Sequence, residues 1–120
     1  MGRVALVASL AGLAACAAAL QPVALDQAAL DAARRNEMAC AARHMPDADI
    51  TASAVTVAQA LSAACQAEYD ATTAILAAPL EIPQQQRDFR QRRASSAERT
   101  EAFVPYVVAL RRPPAKWGDY

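Results

Sequence analysis

Ser53-Ala54-Val55-Thr56-Val57-Ala58-Gln59-Ala60-Leu61-Ser62-Ala63-Ala64-Cys65-Gln66-Ala67-Glu68-Tyr69-Asp70-Ala71-Thr72-Thr73-Ala74-Ile75-Leu76-Ala77-Ala78-Pro79 is the stretch on which the fold turns. It contains no glycine, and its positions Ala54, Ala58, Leu61, Cys65, Tyr69, Thr72 and Leu76 recur at threes and fours, which is one face of an α-helix. Thr51 or Ser53 can cap its start. Pro79 forces its end, because the residue before a proline is pushed out of the α region. The spacing therefore predicts one helix running to Ala78, with Cys65 in the middle of its apolar face.

Upstream, Asp26 is a good N-cap for an alanine-rich segment that reads as a helix over 26–45, broken by Met45-Pro46-Asp47-Ala48-Asp49. Its face of Ala29, Ala32, Ala33 and Cys40 is mostly small, which permits close approach, so the two helices are expected to pair as an antiparallel hairpin. Downstream, Pro79 to Pro83 is a connection and Pro83 suits the first position of a third helix. Ile82, Phe89, Ser96, Thr100, Phe103, Val107 and Leu110 form its stripe. Pro105 lies inside that stripe and predicts a kink or restart near Val104. Residues 103–110 also fit a strand, but one with no partner strand elsewhere. The expected fold is all-α: a helical hairpin plus a third, Pro-kinked helix, a small three-helix bundle over residues 26–112, with 113–120 expected as a disordered tail.

Residues 1–25 read as an address. Arg3 is followed by the 12-residue apolar run Val4 to Ala15, shorter than the ~20 residues a spanning helix needs, which is the form of a signal peptide. Leu13-Ala14-Ala15-Cys16 has the shape of a bacterial lipobox, which makes 1–16 a lipoprotein-type leader with Cys16 as the acylated residue and 17–25 a tether. Cleavage after Ala17-Ala18-Ala19, giving a leader of 1–19, and an uncleaved anchor are the alternatives. Each route places the folded part outside the cytoplasm: in the bacterial envelope facing the periplasm if lipid-anchored, free in the periplasm or secreted otherwise.

Charge divides the rest. Residues 26–78 carry seven acids against three arginines, net −4, and residues 81–116 carry eight bases against four acids, net +4. The whole chain sums to zero, so nucleic acid is not an expected partner. The three glycines stand at positions 2, 12 and 118, which excludes Rossmann and Walker-type phosphate loops from the middle of the chain.

With Cys16 acylated, Cys40 and Cys65 remain, and an even pair in an oxidising compartment favours a disulfide. A hairpin turning near residue 48 would leave the two at different levels, so either a tilted crossing closes the gap or the thiols are small core residues. Cys40 and His44 are one helical turn apart, and soft donors of this kind suit copper or zinc; a surface histidine near a helix C-terminus is the plainer account of the spacing. Arg87, Arg90, Arg92, Arg93 and Arg99 form a basic run, which fits an anionic envelope surface or an acidic protein, or else a solvated face packed against the acidic hairpin. No nucleophile, paired-carboxylate or oxyanion pattern is present, so no catalytic residue is assigned, no cofactor is expected and an enzyme is not the expected class.

One cysteine per hairpin helix, Cys65 closing Thr56-Val57-Ala58-Gln59-Ala60-Leu61-Ser62-Ala63-Ala64-Cys65, and an arginine-rich helix after it resemble a group of short, uncharacterised secreted and lipoprotein-like proteins of alphaproteobacteria. The resemblance covers about residues 28–110 and implies address and fold without an activity. The expectation is a small exported envelope protein, a lipoprotein with a structural or interaction role; the alternative is a periplasmic copper- or zinc-binding protein using Cys40 and His44.

Overall fold

A computed structural model describes residues 23–112 of the protein. Cys16, both cleavage sites and the tail 113–120 lie outside the described residues. Five α-helices make up the described part: α1 (Gln27–His44), α2 (Ala54–Ala64), α3 (Gln66–Ala77), α4 (Pro83–Ala94) and α5 (Ser96–Arg111), with a single 3-10 turn at Met45–Asp47. The chain is all-α as expected, but the three-helix count is corrected to five because two of the expected long helices each divide.

The first division falls at Cys65, whose backbone (φ −107°, ψ 28°) leaves the α region. Hydrogen bonding continues across the bend, from Cys65 N–H to Leu61 O (2.8 Å) and from Tyr69 N–H to Cys65 O (3.1 Å), so the helix changes direction without ending in a cap. The two halves then serve different neighbours: α2 lies along α5 and α3 lies along α1. The register of α1 with α3 is antiparallel, since Glu37 meets Thr72 while Arg43 meets Glu68.

The second division falls at Ser95. Its extended backbone (φ −62°, ψ 145°) and its side chain, which accepts from the Glu98 N–H, make it the N-cap of α5. The break expected near Val104 instead falls nine residues earlier, at Ser95, and α5 runs unbroken through Pro105. Pro105 and Glu101 are both exposed, so the carbonyl that loses its helical donor faces water. Residues 103–110 are helical, which excludes the strand alternative.

Other local signals act as their chemistry dictates. Asp26 caps α1 by accepting from Ala29 N–H at 3.0 Å, Ser53 caps α2 by accepting from Thr56 N–H at 3.1 Å, and Pro83 opens α4. Thr51 does not cap; its N–H and hydroxyl both donate to Asp49 Oδ1 (2.8 and 2.7 Å) and shape the loop before α2. Arg111 closes that loop from the far end of α5 by donating to the Asp49 and Ala52 carbonyls at 3.3 and 2.8 Å.

The core gathers Cys40 and Ala41 of α1, Val57, Ala58 and Leu61 of α2, Cys65, Tyr69 of α3, and Phe103 and Val107 of α5. The expected stripe of α2 and α3 is mostly inward: Ala58, Leu61, Cys65, Tyr69 and Thr72 are buried, and Ala54 and Leu76 half-buried. Of the stripe assigned to the third helix, Phe103 and Val107 are buried, whereas Ile82 and Ser96 are exposed. α4 buries no residue at all.

Candidate functional site

Cys40 and Cys65 form a disulfide, with their Cα atoms 5.9 Å apart. The difference in level that a turn at residue 48 would impose does not arise, because the helix paired with α1 is α3. Residues 45–64, α2 included, form an excursion that leaves to pack on α5 and returns at Cys65 beside Cys40. His44, exposed at the last position of α1, stands over the same point: its imidazole nitrogen and the two sulfurs lie within 4.8 Å of one another.

The five arginines separate into three environments. Arg93 turns inward, its guanidinium 4.0 Å from the centre of the Tyr69 ring and its Nε donating to Thr73 Oγ1 at 3.1 Å. The Tyr69 hydroxyl donates back to the Arg93 carbonyl at 2.5 Å, so one residue of α4 is clamped from both sides. Arg99 is half-buried on α5, and its Nε is the buried side-chain nitrogen without a hydrogen-bond partner among the described residues. Arg87, Arg90 and Arg92 are exposed.

Three acids of the hairpin, Glu68, Glu37 and Asp31, make their contacts away from the exposed arginines. Glu68 pairs with Arg43 at 3.7 Å, the ion pair found among the described residues, and Glu37 is buried where it accepts from Thr72 Oγ1 at 2.7 Å. Asp31 accepts from the Gln27 amide of its own helix at 2.9 Å. The exposed arginines of α4 are thus free of a contact-distance carboxylate within the described part.

Glu37 is a site residue that sequence reasoning missed. Burial holds its carboxyl above the ordinary value of 4.5, against the opposing pull of the Thr72 hydrogen bond and the Arg93 and Arg34 charges. Tyr106 sits against the same carboxyl, and its phenol is raised first by its own burial and then by the Glu37 charge. Tyr69 is raised as well, chiefly by burial. The Tyr69–Arg93 clamp was equally hidden, since it joins residues 24 apart through a helix that has no apolar face of its own.

Compared with protein families, with curated proteins and with solved structures, the chain matches none.

Proposed function

We propose that this protein is a small exported component of the bacterial cell envelope, anchored by lipid at Cys16, whose α4 meets an anionic surface through Arg87, Arg90 and Arg92. The observation that carries the reading is the state of α4: three exposed arginines without a carboxylate at contact distance, on a helix that buries none of its residues. A helix that contributed only to the core would bury an apolar stripe. α4 instead is fastened by Arg93 and by Gln86, whose amide donates to the Leu80 carbonyl at 2.6 Å, leaving its other faces to solvent.

Topology supports the same reading. α3 runs antiparallel to α1 and so ends near the start of α1, and α4 begins at that end with Pro83, six residues after Ala77. A tether over residues 17–25 spans at most about 30 Å, so lipid at Cys16 would keep this end close to the membrane. Val23, Leu25 and Ile82 are exposed apolar side chains there, suited to the headgroup boundary.

Binding of the delipidated domain to anionic vesicles tests this. The expected outcome is weak, salt-sensitive binding that Arg87→Gln, Arg90→Gln and Arg92→Gln together reduce roughly a hundredfold, at about 1 kcal/mol per arginine near charged lipid. Screening over about 10 Å in 0.1 M salt should abolish it. Arg93→Gln should act differently, lowering the melting temperature through loss of the Tyr69 clamp while the other arginines continue to bind. Wild-type protein that ignores anionic vesicles and binds an acidic protein instead would replace the surface; binding to neither contradicts the reading.

A further inference from the structure

We propose that, once the Cys40–Cys65 bond is reduced, the two thiolates and the His44 imidazole form a site for a single thiophilic d10 cation, Zn(II) or Cu(I). The donors come from two places in the chain that the fold brings to one point. Cys40 and His44 are separated by one turn of α1 and share its face, and Cys65 arrives at the bend between α2 and α3. Their three ligand atoms lie within 4.8 Å of one another.

Zinc bonds of about 2.3 Å to sulfur and about 2.0 Å to nitrogen set tetrahedral donors roughly 3.7 Å apart. From positions already within 4.8 Å of one another, the freed sulfurs and the imidazole need shifts of only about an ångström or two to reach that spacing. Cys40 and Cys65 are 2% and 0% exposed, so the sulfurs are already stripped of water, while exposed His44 leaves a side open for entry and for a water as the remaining ligand. Soft donors of this set favour Cu(I) and Zn(II) over the oxygen-seeking cations.

The disulfide and the metal exclude each other, because a sulfur in the S–S bond is not a thiolate. Reduction takes two electrons and two protons, both supplied by a dithiol that leaves as its own disulfide; the two Cys thiols then release their protons as the cation binds. The site is therefore gated by thiol–disulfide exchange. It is separate from the exposed arginines of α4, and the vesicle experiment does not bear on it.

The test titrates the full exported chain in a Cys16→Ser background, which keeps that thiol out of the count. Oxidised and phosphine-reduced samples are titrated anaerobically with Zn(II) and, separately, with Cu(I), each against a chromophoric chelator. Reduced protein should take up one equivalent and oxidised protein none, and the tighter of the two ions identifies the metal. His44→Ala should weaken uptake at least about tenfold, without changing the melting temperature of the oxidised protein, since His44 is exposed. Circular dichroism of the reduced protein should show helix retained or restored by the ion. Equal uptake by oxidised protein, wild-type affinity in His44→Ala, no stoichiometric uptake of either ion, or uptake by a chain that stays unfolded would each overturn the proposal.

Discussion

Glu37 is 3% exposed and tolerates burial because Thr72, 35 residues further on, donates to it at 2.7 Å. A carboxyl held above 4.5 in the folded state and at its ordinary value when unfolded binds its proton more tightly when folded. That stabilisation is fully present below 4.5 and is lost as pH rises through the higher folded value. Glu37→Gln keeps the acceptor for Thr72 and removes the ionisation, so it should stabilise the protein at neutral pH and flatten the fall of melting temperature with pH above 4.5. Thermal unfolding at a series of pH values reads this out, and superimposable wild-type and Glu37→Gln profiles would refute it. Nothing in the sequence marks Glu37 as buried: charged residues are exposed by default, and its acceptor role depends on a partner that only the α1–α3 pairing supplies. Cys40 and Cys65 were legible as a favoured pair once Cys16 is set aside for the leader, yet their level was not, because it depends on where the second helix bends.

Helix starts were legible where a single side chain determines them. Asp26, Ser53 and Pro83 each act within one turn, and each stands where the expected helix begins. The bend at Cys65 had no such mark, since Ala63-Ala64-Cys65-Gln66-Ala67 is good helix sequence throughout. Its cause is tertiary: α2 follows α5, α3 follows α1, and the disulfide ties their junction to Cys40. Ser95 did carry a signal, the Ser-x-x-Glu spacing to Glu98 that opens helices, but the apolar stripe running past it and the proline at 105 pointed further along. Its cap is the hydrogen bond from Glu98 N–H at 3.3 Å. Ser95→Ala should therefore destabilise the protein by about 1 kcal/mol, measured by urea unfolding, whereas Ser96→Ala, on an exposed first position of α5, should change little. Equal effects of the two would contradict the assignment of the cap.

At the scale of the molecule, a thin core is held by one covalent link. Nine buried residues form the central cluster, two of them the bonded cysteines, and α4 adds nothing to it. A loop of 25 residues closed by the disulfide contributes about 3 kcal/mol in the chain-entropy account, a large share for a domain of this size. Such a link persists in an oxidising compartment, which is where the leader-like residues 1–16 would send the chain. Export, anchoring and the staple thus form one claim, and intact mass of the protein recovered from its native membrane, alkylated after denaturation without reductant, tests it most directly. The expected mass is that of a chain beginning at Cys16, heavier by a diacylglyceryl group, with no alkyl adduct on Cys40 or Cys65. A chain that retains its leader, lacks the lipid, or carries adducts on both cysteines would contradict it.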